Sequence, residues 1–442
     1  MTTEGINTTN QFTYSSNNSG ELTQAILPYG GYLSWAYTNV TYSNSSGTTY
    51  REVANRYLSK DGTSNTANYA FSHEASPGPN VRQYTIITDP SGATREWTFG
   101  QSGVTMGLVT TTQANPSTGM SDVSSLTWTQ DSASNSYIGS VLINSTVTIG
   151  GRQNNLEKWM DQTVDTHGNV TQVNQYNFGS SHTNPARTYN YTYLNSSSYT
   201  SRYIFNRLTQ ATVTDNATTT LTLVTNGYDQ TNPTSQGPSN NWDLAYATIS
   251  TRGNLTTSTT LNSNKTITYD TAGDPTGVTL NGVAASITMV GTNNYAAPTA
   301  LTAGSLTQSL SWTPSIAPAS TTGPNGDVTT MTYDTYGRPT GGTSPFGAVT
   351  TITYSSAPYT TSSPAVVTTT VNGRWTSRTL DGLGRTVKVQ KGDANGTQSV
   401  AESVYGSGGG SPTGVLLQQA MPHASGGTPA YTTRTYDGEV EP

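Results

Sequence analysis

The residues of this chain that could perform acid–base or metal chemistry are few and lie far apart. The four histidines are His73, His167, His182 and His423, and none has a ligand-like partner two or four residues further along the chain. Metal sites and catalytic bases need such residues grouped. We therefore expect no metal or catalytic histidine, and we predict that His167 occupies a solvated turn. The chain contains no cysteine, which excludes disulfides and cysteine-based metal or redox sites.

Two pairs of aspartates are spaced closely enough to suggest other chemistry. Asp161 with Asp165, and Asp270 with Asp274, could act as paired acids in glycoside hydrolysis or as an oxygen cage for Ca²⁺. A simpler role is available, because an aspartate that opens a turn can accept a hydrogen bond from the backbone two residues further on. We favour turn capping, predict no catalytic residue and no cofactor, and keep calcium only as an alternative.

A short motif built on Asp and Gly recurs along the chain. Its copies, from clearest to loosest, are Tyr333-Asp334-Thr335-Tyr336-Gly337-Arg338, Tyr269-Asp270 with Gly273, Leu380-Asp381 with Gly384-Arg385, Asp165 with Gly168, and Gly253-Asn254, and Tyr436-Asp437 begins a further copy. In each copy, we expect the tyrosine or an apolar residue to end a strand and point inward. The aspartate then opens a turn, and the glycine three residues later supplies the left-handed conformation that closes a short hairpin loop.

Alternating strands and a second turn phrase surround the motif. The segment 327–333 alternates in the period of two that is typical of a half-buried strand. The second phrase is a proline or aspartate-proline turn followed by glycine, as in Asp89-Pro90-Ser91-Gly92, Pro324-Asn325-Gly326 and Pro345-Phe346-Gly347. Because the two phrases interleave between residues 324 and 354, the sequence predicts a β-meander.

The composition agrees with an all-β protein and excludes several classes of function. Only 10% of residues are charged and 32% are hydrophobic, while Thr, Ser, Asn and Gly are abundant and Tyr outnumbers Phe by 27 to 6. Threonine and tyrosine favour strands. A net charge of −6, with scattered Lys and Arg, argues against a nucleic-acid partner. No apolar run is long enough for a membrane helix, and residues 1–10 show no signal peptide.

Three regions can be distinguished within one predicted sheet. Residues 1–158 form a divergent β-rich start, residues 159–405 carry the motif repeats, and residues 406–442 comprise a glycine-rich segment and a truncated final repeat. We expect the stretch from Gly406 to Gly414 to be flexible. The recurring tyrosines are expected to pack across strands, with their hydroxyls reaching solvent or a cavity.

The motif resembles the repeat of the Rhs/YD family, which is a Tyr-Asp pair, two free positions and Gly-Arg. Tyr333-Asp334 with Gly337-Arg338 matches fully, whereas Asp274 replaces the arginine in one copy and Leu380 replaces the tyrosine in another. The resemblance implies hairpins joined into a long sheet that spirals into a hollow cocoon, which encloses a toxic domain in Rhs and Tc-type toxins. In that family a self-cleaving aspartyl site follows a DPxG-type motif at the end of the shell. The same letters occur here as Asp89-Pro90-Ser91-Gly92, but they lie near the N-terminus within a turn, so we do not identify this site in the chain.

The sequence therefore predicts an antiparallel meander of YD-type hairpins in a curled or spiralling sheet, possibly part of a shell. The expected function is a non-enzymatic scaffold, a segment of a secreted or cell-surface bacterial shell. Its expected partner is a toxin or effector domain in the same polypeptide, or a cell-surface glycan or protein. The alternatives are an adhesin that binds glycans through rows of Tyr and Trp and, third, a β-helical polysaccharide-active enzyme, which the irregular repeat spacing disfavours.

Overall fold

The predicted all-β meander is confirmed. The computed structural model describes residues 10–436 except 18, 42–48, 66, 76–80, 116–119, 150–151, 217–218, 236–247, 291–292, 294, 407–410 and 412. Over these described residues, thirty-one strands form one sheet, in which each strand pairs antiparallel with the strands before and after it in sequence. Because sequential neighbours are antiparallel, the parallel β-helix of the third alternative is not the architecture of this chain.

The bounds of the strands follow the turn phrases. The strands are β1 Gln11–Tyr14, β2 Leu22–Ile26, β3 Tyr32–Thr41, β4 Thr49–Ser59, β5 Ala67–Ala75, β6 Arg82–Thr88, β7 Thr94–Phe99, β8 Val109–Asn115, β9 Met120–Gln130, β10 Ser136–Ile149, β11 Arg152–Val164, β12 Val170–Gln175, β13 Arg187–Tyr193, β14 Leu208–Asp215, β15 Thr220–Tyr228, β16 Leu255–Thr260, β17 Asn264–Tyr269, β18 Pro275–Leu280, β19 Val283–Met289, β20 Pro298–Ala303, β21 Leu306–Trp312, β22 Pro318–Thr322, β23 Val328–Tyr333, β24 Pro339–Thr343, β25 Val349–Tyr354, β26 Val366–Val371, β27 Arg374–Leu380, β28 Thr386–Asp393, β29 Gly396–Gly406, β30 Val415–Ala420 and β31 Tyr431–Thr433. Two helical elements lie wholly within the described residues, α1 (Ser197–Thr200) and a 3₁₀ turn (Gly103–Thr105). Neither is long and apolar enough to cross a membrane.

The sheet is a single layer with little hydrophobic core. In the described part of the chain, the fully buried side chains are Asp270 and Ser59. One core cluster forms around Leu58 and Tyr69, near the beginning of the sheet. Strands β17 and β25 alternate between exposed and half-buried residues along their whole length. Stability must therefore come mainly from contacts between adjacent strands and turns.

Threonine and serine hydroxyls link adjacent strands close to the turns. Cross-strand hydroxyl pairs 2.7–3.0 Å apart include Thr41–Thr49, Thr163–Thr171, Thr214–Thr220, Thr268–Thr276, Ser311–Ser320 and Thr332–Thr340. Such pairs contribute roughly 0.2–1 kcal/mol each relative to alanine pairs. The high threonine content thus has a direct structural use.

Candidate functional site

The clearest copy of the motif folds into a five-residue turn that is closed by backbone and side-chain hydrogen bonds. The backbone N–H of Asp334 donates to the carbonyl of Arg338, and that of Gly337 donates to the carbonyl of Asp334, both at 3.0 Å. Asp334 Oδ1 accepts the N–H groups of Tyr336 and Arg338 at 2.9 Å, and Oδ2 accepts Arg338 Nε at 2.7 Å. Gly337 has φ of +76°, which glycine adopts without strain.

The other motif residues take the same positions. The turn glycines Gly168, Gly273 and Gly384 have φ of +80°, +98° and +82°. The turn aspartates Asp165, Asp270 and Asp381 each accept hydrogen bonds on Oδ1 from the backbone of the following residues. Tyr436 is described and Asp437 lies outside the described residues, as does most of the glycine-rich segment between Gly406 and Gly414.

The second turn phrase builds the same turn as the first. The pair of backbone hydrogen bonds described for Asp334 recurs in three turns of the second phrase, which run from Gly323 to Asp327, from Ser344 to Ala348 and from Asp89 to Ala93. In the Asp89 turn, the carboxylate accepts the N–H groups of Ser91 and Ala93, so this aspartate caps a turn as predicted. The two sequence phrases therefore form the same type of hairpin turn, which recurs at the ends of many strands.

One copy of the motif was missed because an insertion interrupts it. Tyr228 ends β15 and Asp229 follows it, and the carboxylate of Asp229 accepts the N–H groups of Arg252, Gly253 and Asn254 at 2.7–3.0 Å. The N–H of Asp229 donates to the carbonyl of Asn254. The loose copy at Gly253-Asn254 is therefore the second half of a turn that Tyr228-Asp229 begins. The Tyr-Asp pair was a visible signal, but its glycine lies 24 residues away.

The aromatic residue of the motif joins two adjacent strands. Tyr333 ends β23, and its hydroxyl donates at 2.9 Å to the carbonyl of Pro318, the first residue of β22. The same arrangement, which we call the aromatic clamp, joins the last residue of one strand to the first residue of the strand before it. The other examples, at 2.7–3.1 Å, are Tyr193 to Val170, Tyr228 to Leu208, Tyr269 to Leu255, Trp312 to Pro298 and Tyr354 to Pro339.

The clamps explain why tyrosine is preferred to phenylalanine. The sequence predicted that the hydroxyls reach solvent or a cavity, and this was wrong for these residues, because a backbone carbonyl accepts each of them. A β-bulge directly before Tyr333 and Tyr269 re-aims the strand end toward the preceding strand. Burial raises the pKa of Tyr228 and of Tyr269, in agreement with half-buried hydroxyls.

Turns from the two ends of the described sheet meet at a seam. The N–H of Gly31 donates to the carbonyl of Gly382 at 2.9 Å, and the N–H of Gly382 donates to the carbonyl of Lys60 at 2.8 Å. A methyl group on Gly382 would lie 2.5 Å from both Gly31 N and the Lys60 carbonyl oxygen. The motif copy at Asp381 therefore needs glycine at its second position because two backbones touch there.

Side chains reinforce the seam. Leu383 packs against the core cluster of Leu58 and Tyr69, and the rings of Tyr29 and Tyr359 stack at 5.8 Å. The Thr361 hydroxyl donates at 3.1 Å to the carbonyl of Asp61, 300 residues earlier in the chain. The sheet is thus curled far enough for turns from distant strands to interlock, without closing into a barrel of paired strands.

A cavity of about 430 Å³ opens at the seam. Its walls include Lys60 and Asp61 from the first part of the sheet and Leu380, Asp381 and Tyr405 from the last part. The motif arginine next to it, Arg385, contacts Asp381 Oδ2 through Nε at 2.8 Å and Nη2 at 2.6 Å. Its guanidinium also stacks over the Tyr405 ring at 4.5 Å. Leu380 carries no hydroxyl, so this turn depends on its arginine and on the seam.

Three of the four histidines lie against carboxylates from other strands or loops. His182 Nε2 lies 2.8 Å from Asp161 Oδ1, His423 Nε2 lies 2.9 Å from Glu402 Oε2, and His73 Nδ1 lies 3.3 Å from Glu52 Oε2. Sequence spacing could not indicate these pairs, since strand pairing creates them. In the described ranges, no three His, Asp or Glu side chains form a metal-binding group.

His167 and the acidic pair Asp161–Asp165 have separate structural roles. His167 is exposed in its turn, as predicted, and its ring stacks on that of Phe205 at 3.8 Å. Asp161 accepts the hydroxyl of Tyr176, while Asp165 accepts its own turn's backbone and the side chain of Asn169. Each of these carboxylates therefore has hydrogen-bond donors of its own.

Comparison with known proteins gives structural neighbours but no family. No protein-family model and no curated protein match the chain. A crystal structure of TcdB2-TccC3-TEV has 10% identity and a TM-score of 0.46, covering 97% of this chain and 21% of that one. The Tc holotoxin pore of Photorhabdus luminescens has 11% identity and a TM-score of 0.39, covering 93% and 21%. A TcdB2-TccC3 crystal structure has 12% identity and a TM-score of 0.36, covering 96% and 23%.

The neighbours are thus Tc toxin chains, and this chain spans about a fifth of the length of the first of them.

Proposed function

We propose that this chain is a structural scaffold, a wall segment of a curved protein shell that carries or encloses another domain of its polypeptide. The seam is the observation that carries the proposal. A single-layer sheet without a substantial core is poorly suited to hold a catalytic cleft, but a curled sheet whose turns interlock forms a wall. The proposal includes the absence of catalysis and a secreted or cell-surface location.

The aromatic clamps and repeat turns support the same role. Each clamp and each turn fixes one strand relative to its immediate neighbours, so the curvature is set locally and repeated along the chain. A wall built in this way resists bending at every hairpin. The aromatic rings that a glycan-binding adhesin would present are, at the clamp positions, half-buried and hydrogen-bonded within the sheet.

The proposal is tested by measuring whether the seam is closed in solution. Because the chain lacks cysteine, spin labels can be placed at Ser64→Cys and Ser362→Cys alone, on opposite sides of the seam. We expect a single short, narrow distance distribution, and a curved hollow particle in electron microscopy. Gly382→Ala should lengthen and broaden the distribution, because the added methyl meets two backbones.

The matched control is Thr335→Ala, at the same motif position in a turn away from the seam, which should leave the distance unchanged. A long, broad distribution in the otherwise unaltered chain, together with an extended ribbon in electron microscopy, would refute the wall.

A further inference from the structure

One repeat turn has an unsatisfied carboxylate oxygen where its sister turns have a donor. Asp270 Oδ1 accepts the backbone N–H groups of Ala272, Gly273 and Asp274, each at 2.9 Å. Asp270 is 0% exposed. Its second oxygen, Oδ2, is buried and accepts no hydrogen bond from the described residues. The turn is therefore correctly capped, but half of its carboxylate is unpaired.

The sister turns show where this oxygen points. In each of them the fifth residue of the turn donates to Oδ2 of its aspartate, with Asn169 at 2.8 Å, Arg338 at 2.7 Å and Arg385 at 2.6 Å. In the Asp270 turn the fifth residue is Asp274, which as a carboxylate can only accept. Oδ1 of Asp270 accepts the N–H groups of the third and fifth turn residues, as in the sister turns, and in addition that of Gly273. We therefore infer that Oδ2 of Asp270 faces the side of the turn from which residue 274 extends.

Two carboxylates that share a buried turn without a donor are unfavourable unless positive charge joins them. Burial, and then the charge of Asp270, raise the pKa of Asp274, as expected for an acid that lacks a positive neighbour. The guanidinium of Arg252 lies nearby, but its Nη1 donates at 2.9 Å to the carbonyl of Thr271 and its Nε at 2.6 Å to that of Ile249. Arg252 thus donates to backbone carbonyls around the turn, including that of Asp270 at 3.5 Å, and no described hydrogen bond joins it to Asp270 Oδ2.

We propose that Asp270 and Asp274 bind a divalent cation, with Ca²⁺ as the ion that fits, in the place that a motif arginine fills elsewhere. Calcium takes carboxylate and carbonyl oxygens in flexible geometry, with water completing the shell. Asp274 is half-buried, which gives the ion a route from solvent. A site with only two carboxylates should bind weakly, with a Kd of about 10⁻⁴–10⁻³ M, the range of extracellular modules.

The test is calorimetric titration of calcium chloride into the full chain at about pH 7.5. We expect one site, with at least a tenfold loss of affinity in both Asp274→Arg and Asp274→Asn. Both substitutions introduce a residue that is present at this position in a sister turn. Arginine is the fifth residue of the Asp334 and Asp381 turns, and asparagine is the fifth residue of the Asp165 turn. Both should keep the fold, and the urea midpoint should rise with calcium in the unaltered chain alone.

Two results would overturn the proposal. The first is equal calcium binding by the unaltered chain and by Asp274→Arg, which would place the ion elsewhere. The second is no response to calcium up to about 10 mM together with a urea midpoint that rises on acidification, because a proton would then hold the two carboxylates together. Neither result depends on whether the seam is closed.

Discussion

Removing one hydroxyl tests whether the aromatic clamps stabilise the sheet. Tyr333→Phe keeps the ring and its packing but deletes the hydrogen bond to the carbonyl of Pro318 at 2.9 Å. A half-buried intramolecular hydrogen bond contributes about 1 kcal/mol net, and a carbonyl left without its donor adds to the loss. We therefore expect Tyr333→Phe to lower the free energy of unfolding by about 1 kcal/mol.

The matched control is Tyr336→Phe in the same turn, whose hydroxyl makes no hydrogen bond with the described residues and which is 45% exposed. Its effect should stay within about 0.5 kcal/mol of zero. Urea unfolding followed by tryptophan fluorescence measures both, and hydrogen exchange of β22 and β23 shows whether the loss is local. Adding Tyr354→Phe, which removes the neighbouring clamp, should roughly double the loss if the clamps act independently.

Equal stabilities of Tyr333→Phe and Tyr336→Phe would contradict this reasoning. The hydroxyls would then be exchanging one acceptor for another at no net gain, and the preference of the motif for tyrosine would need a different cause.

Two further predictions concern charged groups near the end of the sheet. Arg385→Lys should lower the free energy of unfolding in urea by about 1–2 kcal/mol, because lysine replaces the forked contact with Asp381 and the stacking on Tyr405 by a single point charge. An unchanged urea midpoint would show that the forked contact is not needed for stability. The hydrogen bond to Glu402, and next that to the carbonyl of Ala424, raise the pKa of His423, while desolvation and then the charge of Lys388 oppose this rise. A histidine whose pKa is raised by folding stabilises the folded state fully at a pH below its unfolded pKa of about 6.5. This stabilisation is lost as the pH rises through its pKa in the folded state. The stability difference between the chain and His423→Gln should therefore be largest in mild acid and vanish in alkali, and a difference that grows with pH would exclude a charged histidine.

The local structure was accessible from sequence because it is encoded within a few residues. Asp334 and Gly337 are three residues apart, and their turn depends only on a carboxylate cap and a positive φ. The feeder strand of Tyr333 shows the expected alternation for the same reason. The donor role of the tyrosine hydroxyl could not be predicted, since its acceptor, Pro318, lies 15 residues away and is brought near by strand pairing and a bulge.

Non-local features were out of reach for a different reason. Gly382 occupies a free position of the motif, so its type suggests nothing beyond a flexible turn. Only the approach of Gly31 and Lys60, more than 320 residues away, shows why a side chain cannot be accommodated. Similarly, Asp229 and Gly253 belong to one turn that an insertion separates in sequence. Contacts within one hairpin can therefore be predicted from sequence patterns, whereas contacts between distant strands that the curl of the sheet brings together cannot.

The way in which the curl closes also determines what the ends of the sheet can do. Within the described residues, β1 pairs only with β2 and β31 only with β30, so both outer strands keep one unpaired edge. Unpaired edges are templates for further strands. A seam made by strand pairing would consume these edges, whereas the seam at Gly31 and Gly382 is made by turns and leaves them available. Closure through turns is therefore compatible with the proposed wall, because it uses neither outer edge of the described sheet.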